Sequence, residues 1–184
     1  MTQQVVFIQG AGEGAHDRWD DKLVSSLERE LGDSYALRYP RMPTEAIPKY
    51  STWKDSLLGE FNSLGDGALL VGHSVGGTIL LHTLAEQPPL PKLGGVFLIS
   101  APFIGEGGWP SDDIRARTDF SDRLPLGVPV FLYHAIDDDS VPVAHVYLYS
   151  HTLARAVVRT IEHSDHQLNN DLSLVARDIR RISG

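Results

Sequence analysis

Residues Gly72-His73-Ser74-Val75-Gly76 constrain this chain more than any other stretch. The apolar run Ala68-Leu69-Leu70-Val71 leads into them, and Thr78-Ile79-Leu80-Leu81-His82-Thr83-Leu84 leads away with a helical pattern. A G-x-S-x-G sequence between an apolar strand and an apolar helix has a steric meaning. The backbone turns so tightly at the serine that the residues two places before and after it need to be without side chains. Gly72 and Gly76 meet that need, and Gly77 adds clearance. Such a turn lifts the hydroxyl above a sheet at a helix N-terminus, where partial positive charge favours a developing anion. This is the context of a nucleophile elbow. The bare pattern is weak, because a Gly-Ser-Gly turn can simply join two elements. Partners for Ser74 therefore decide the reading.

Apolar runs of strand length recur, separated by helical patterns. Val5 to Gln9 reads as a first strand, and Trp19, Leu23, Leu27 and Leu31 mark one face of a helix. Tyr35 to Tyr39 is a second strand, stopped by Pro40, and 41–50 is a loop with two prolines. Trp53, Leu57, Leu58, Phe61 and Leu64 form the apolar stripe of a second helix, ended by Gly65-Asp66-Gly67. After the strand and helix around Ser74, strands are expected at 95–100, 128–134 and 156–161, with a helix at 144–154. Leu168, Leu172, Val175, Ile179 and Ile182 space out a closing amphipathic helix. Alternation of this kind predicts an α/β fold, a mostly parallel six-stranded sheet with helices on both faces, in one domain spanning 1–184. In such sheets, sites gather beyond the carboxyl ends of the strands. Ser74 and the loops after Gln9, His134 and Ile161 all emerge there.

Composition narrows the partners. A net charge of −8 argues against nucleic acid, which needs a basic stripe. The absence of cysteine excludes disulfides, a thiol nucleophile and thiolate metal sites, and fits a cytoplasmic protein. The run Val5-Val6-Phe7-Ile8 is too short for a signal-peptide core, and no stretch approaches a membrane span.

Attack by Ser74 on a carbonyl needs a base and a third group to orient that base, in the chain order serine, acid, histidine. The loop after the fifth strand carries Asp137, Asp138 and Asp139, and the loop after the sixth carries His163 and His166. Three adjacent aspartates leave the acid open at this point. They could equally be solvated turn residues, and no glycine-containing calcium loop surrounds them. His166 stands just before the closing helix, whereas His163 is nearer the strand end, so both remain candidates and His166 is preferred. His134 ends a strand and His73 is expected to point away from the serine, so neither suits the base. The oxyanion donors expected are the backbone N–H of Val75 and one from Gln9-Gly10-Ala11-Gly12-Glu13-Gly14, namely Ala11. A dinucleotide loop is the rival reading, since Gly10, Gly12 and Ala15 fit a G-x-G-x-x-A spacing. The acidic residue expected at the end of the second strand is replaced by Tyr39-Pro40-Arg41.

With these residues in place, the chain resembles the α/β-hydrolase superfamily over nearly its whole length. It looks most like the small, lidless serine hydrolases akin to the retinoblastoma-binding hydrolase and the YdeN-like bacterial proteins. That resemblance selects Asp138, because Asp138-Asp139-Ser140-Val141-Pro142 matches the family's D-x-x-V-P-like segment. It matches His166 by position, although Asp165 precedes it where the family usually has glycine. Gln9-Gly10 stands where the family usually has His-Gly. The resemblance implies esterase-like hydrolysis of a small-molecule acyl substrate by Ser74, Asp138 and His166, with no metal or organic cofactor and no large cap domain. Phe103, Trp109 and Phe120, in the one long insertion at 101–127, are candidate substrate contacts. They could equally pack that insertion onto the core.

Overall fold

The computed structural model describes residues 2–89 and 91–184. Six strands, β1 (Gln3–Ile8), β2 (Tyr35–Arg38), β3 (Leu69–His73), β4 (Gly95–Ile99), β5 (Val130–Ala135) and β6 (Val157–Ile161), form one sheet in the order β2-β1-β3-β4-β5-β6. Every neighbouring pair runs parallel. The chain winds from β1 outward to β2, then crosses back to β3. The order therefore reverses between β1 and β3, and a crevice opens beyond their carboxyl ends. Ser74 and the Gly-rich loop leave the sheet on either side of that crevice.

Side-chain alternation along the strands divides the core in two. Val6, Ile8, Leu70, Val96, Leu98 and Leu132 face a layer containing α2 (Tyr50–Phe61), α3 (Ser74–Glu86) and α5 (Ala144–Thr152). Val5, Phe7, Leu69, Val71, Phe97, Ile99 and Tyr133 face α1 (Asp21–Leu31) and α6 (Ser173–Ser183). The central strands β3, β4 and β5 are buried along their whole length, as a sheet covered on both faces requires. A four-residue helix, α4 (Phe120–Arg123), lies within the long insertion.

One helical expectation fails informatively. Leu23, Leu27 and Leu31 are buried as expected, but Trp19 is 53% exposed. Ala15–Asp20 forms a turn of π-helix ahead of α1. Its wider turn breaks the 3.6-residue phase, so Trp19 swings to solvent and Asp20 takes the inward position, 1% exposed. The closing helix also starts later than its apolar spacing suggests. Leu168 sits in a separate short turn and Leu172 immediately precedes α6.

Candidate active site

Ser74 is the first residue of α3 and has φ of 51°, a left-handed conformation that costs a non-glycine residue about 1–3 kcal/mol. The surrounding backbone enforces it. A Cβ on Gly76 would overlap the Gln9 carbonyl oxygen, and one on Gly72 would come within 2.6 Å of the Gly77 Cα. On the other side of the crevice, Gly10 lies so close that its Cβ would stand 3.1 Å from the Ser74 Cβ. The loop after β1 thus packs directly against the serine.

Three strand ends contribute to one hydrogen-bonded chain. His166 Nε2, from the loop after β6, lies 3.0 Å from Ser74 Oγ, and its Nδ1 lies 2.8 Å from Asp138 Oδ2, from the loop after β5. A carboxylate opposite Nδ1 places the ring proton there and leaves Nε2 bare to accept the Ser74 O–H. Asp138 is fixed in turn: its Oδ1 accepts the N–H groups of Ser140 at 2.9 Å and Val141 at 2.8 Å. Beneath it, His134 Nε2 donates to the Val141 carbonyl at 2.8 Å and lies 3.4 Å from Asp138 Oδ2. Burial alone would raise the Asp138 pKa. The hydrogen bonds from His134, His166 and Val141 outweigh it and hold this carboxyl far below the usual carboxylate range. The His166 side chain keeps 18% exposure, so the chain reaches solvent at the histidine while its acid end is enclosed.

Val75 follows in the first turn of α3, where backbone N–H groups have no intrahelical acceptor. Ala11 lies between two amides that are held: Gly10 N–H by Asp20 Oδ2 at 2.6 Å and Gly12 N–H by the Glu45 carbonyl at 2.7 Å. Among the described residues the Ala11 N–H meets no acceptor of its own. Glu45 organises the rest of that loop. Its side chain accepts Gly14 N–H at 2.9 Å, His16 N–H at 3.0 Å and the Gln9 amide at 2.6 Å, while Gln9 Oε1 accepts Met42 N–H at 2.9 Å. Gln9 thereby ties the Gly-rich loop to the segment after β2. Nothing in the sequence around Glu45 announces this role.

The remaining candidates lie outside the chain. The His163 N–H donates to Asp137 Oδ2 at 3.0 Å, and Asp139 accepts the Ser140 hydroxyl at 3.2 Å. His73 turns to the α1 and α6 face, as expected of a residue beside Ser74. Its ring meets Asp20 Oδ2 at 2.9 Å and the His166 carbonyl oxygen at 3.2 Å. Asp20 escaped the sequence reading. Its spacing of three and seven residues before Leu23 and Leu27 was the available signal.

Of the expected aromatic wall, Phe103 and Phe120 are corrected. Phe120 is fully buried, edge-on to His82 and tilted against Tyr149, and Phe103 is 3% exposed and edge-on to Tyr149. Both anchor the insertion to the core. Trp109 is half-buried, edge-on to His145. The hollow that this insertion forms, about 620 Å³, borders Phe103, Ile104, Arg117, Leu148 and Thr152 but no member of the Ser74 chain. Among the described residues no group of three His, Asp or Glu side chains is arranged to hold a metal ion.

Comparison with known proteins agrees with the fold. A model of the alpha/beta hydrolase family matches residues 5–182. The chain belongs to that family. This alpha/beta hydrolase family member is 30% identical over 100 residues to a Bacillus subtilis (strain 168) protein named "Putative hydrolase YdeN", covering 54% of this chain and 51% of the relative. The match therefore spans about half the length of that relative. The crystal structure of the ydeN gene product from B. subtilis aligns with a TM-score of 0.79 at 20% identity, over 99% of both chains. Est1E from Butyrivibrio proteoclasticus, solved with ferulic acid, aligns at 0.71 and 14% identity over 98% of this chain and 88% of its own. XC6422 from Xanthomonas campestris, described as a serine hydrolase without lid, aligns at 0.69 and 16% identity over 99% and 82%. At these identities the structural matches establish the shared fold, a six-stranded sheet without a large cap.

Proposed function

We propose that this protein is a serine hydrolase that cleaves small carboxylic esters or related acyl compounds through an acyl-enzyme. The observation that carries the reading is the unbroken chain from Ser74 Oγ through the His166 ring to Asp138, at 3.0 and 2.8 Å. Ser74 Oγ attacks the carbonyl carbon while His166 Nε2 takes its proton. The tetrahedral oxyanion is held by the N–H groups of Val75 and Ala11. Losing one such donor typically costs about 3–4 kcal/mol of barrier. His166 then delivers the proton to the leaving oxygen, and the ester bond breaks. Water, deprotonated by the same nitrogen, releases the acid and restores Ser74. Asp138 keeps the proton of the resting ring on Nδ1 and stabilises the imidazolium that forms.

Phe103 and Phe120 of the insertion pack into the core, which favours small or exposed substrates. The net charge of −8 suits a small-molecule partner better than nucleic acid. Among the described residues no helix is long and apolar enough to cross a membrane. A chain without cysteine fits the cytoplasm as its workplace.

The test uses the purified protein with p-nitrophenyl acetate and butyrate and with a fluorophosphonate label. Wild type should turn over the esters and label at Ser74. Ser74→Ala should lose both while its circular-dichroism melt is kept. A wild type that neither labels nor turns over would overturn the proposal in favour of a ligand-binding module on the same scaffold.

A further inference from the structure

Beneath the Ser74 chain lies a second histidine–carboxylate pair that the reaction above does not use. Asp20 and His73 are 1% and 2% exposed. Asp20 Oδ2 accepts the Gly10 N–H at 2.6 Å and faces His73 Nδ1 at 2.9 Å, while its Oδ1 accepts the Gln167 side-chain amide at 3.3 Å. His73 Nε2 lies 3.2 Å from the His166 carbonyl oxygen, and the two imidazole rings are 5.0 Å apart. One carboxylate therefore reaches the loop that carries Ala11, the residue before Ser74 and the residue after His166.

The partners fix the state of the His73 ring. A carbonyl oxygen can only accept, so Nε2 carries a proton. Asp20 accepts from Gly10 and Gln167, the pattern of a carboxylate, and a carboxylate opposite Nδ1 calls for a proton there too. We propose that Asp20 and His73 form a buried carboxylate–imidazolium pair that positions the site, holding the Gly10–Ala11 loop and the His166 backbone at fixed places relative to Ser74. What is positioned rests on the hydrolase reading; the charge state of the pair does not. Displacing either loop would strip a hydrogen-bond partner from a desolvated charge, and such losses are strongly unfavourable. The charges facing His73 are Asp20, from the π-helical turn, and Asp138, from the loop after β5, with the titratable His166 ring from the loop after β6. Half-buried Tyr39 is held neutral first by its partial burial and then by the Asp20 carboxylate. Burial by itself would discharge both partners. Their mutual attraction outweighs it, holding Asp20 below and His73 above their ordinary ranges.

The experiment pairs a spectroscopic reading with kinetics. In ¹⁵N NMR of wild type at pH 7, both His73 nitrogens should carry protons. In Asp20→Asn, His73 should lose one of them at pH 7. Its kcat on p-nitrophenyl acetate should drop about tenfold with KM nearly unchanged, because the loop being held serves the transition state. A neutral His73 in wild type, or an Asp20→Asn protein with wild-type kcat, would overturn the proposal. If Asp20→Asn does not fold, the wild-type NMR reading alone decides. Turnover surviving Ser74→Ala would defeat the hydrolase reading while leaving the NMR result on the pair intact, so the two failures are distinct.

Discussion

His166–Asp138 and His73–Asp20 are built from the same two side chains at nearly the same separation, 2.8 and 2.9 Å from Nδ1 to the carboxylate, yet only one leaves a ring nitrogen free to react. The difference lies in what faces the second nitrogen. His166 Nε2 meets the Ser74 hydroxyl, which can donate. His73 Nε2 meets a carbonyl oxygen, which cannot. Location follows the same division: His166 rides on a loop with 18% of its side chain exposed, whereas His73 closes a central strand under α1 at 2%. A histidine beside a carboxylate is therefore not yet a base. On the proposed reading, the neighbour at the far nitrogen separates a proton carrier from a fixed prop.

Exchanging each acid for its amide should break the symmetry most visibly. In Asp138→Asn the oxygen must stay where Asp138 Oδ1 now accepts the Ser140 and Val141 amides, which puts the NH₂ group opposite His166 Nδ1. That donor forces the His166 proton onto Nε2, where it blocks uptake of the serine proton. We expect kcat to fall by about 10³–10⁴-fold, the scale of a triad held in the wrong tautomer. Asp20→Asn should cost only about tenfold. Equal losses in the two variants, measured on p-nitrophenyl acetate, would erase the distinction between base and prop.

The two pairs were unequally legible in the sequence. The succession of strands and helices, the elbow sequence and the loops bearing Asp138 and His166 could be read because each rests on local signals: apolar runs, glycines at fixed offsets, and acidic and histidine residues at strand ends. Asp138 was separable from Asp137 and Asp139 only by family resemblance, since the amides of Ser140 and Val141 that fix it are a property of the folded turn. The Asp20 pair left only the spacing of Asp20 from Leu23 and Leu27 as a signal, and the assignment of Trp19 to that face masked it. Helical periodicity assumes 3.6 residues per turn, and the π-helical turn at Ala15–Asp20 exchanges the places of Trp19 and Asp20. Phe103 and Phe120 stayed open between the two readings because an aromatic residue in an insertion reads the same whether it lines a cleft or plugs a core.

Stability against pH should separate the pairs next. His73 holds its proton above its ordinary range, so its contribution is complete below about pH 6.5 and fades as pH rises through the folded value. Asp20 is held below its range, so its contribution is present above about pH 4 and fades as pH falls through the folded value. The stability gap between wild type and Asp20→Asn should therefore be widest near pH 5–6, at about 1–3 kcal/mol, and should narrow on the alkaline side. Asp138 is also held low, so its carboxylate contribution disappears only in acid, and the Asp138→Asn gap should persist from neutral to alkaline pH. Urea unfolding between pH 4 and 9 measures both curves. An Asp20→Asn gap that stays flat to pH 9 would contradict the imidazolium assignment.

The smallest effect concerns His134, which touches the acid of the reactive pair without belonging to it. Its stronger bond, 2.8 Å, goes to the Val141 carbonyl, and its approach to Asp138 Oδ2 is 3.4 Å. His134→Phe leaves that buried carbonyl without a donor, at a cost of about 1–3 kcal/mol in stability. Asp138 keeps His166 and two backbone amides, so its ionisation and orientation survive, and kcat should drop less than tenfold. The argument is one of redundancy: a carboxylate with four donors tolerates losing the longest. Melting curves and turnover of the same preparation separate the two readouts. A kcat loss matching that of Asp138→Asn would place His134 within the proton-carrying set, and the contrast between the two pairs would then have to be redrawn around three histidines.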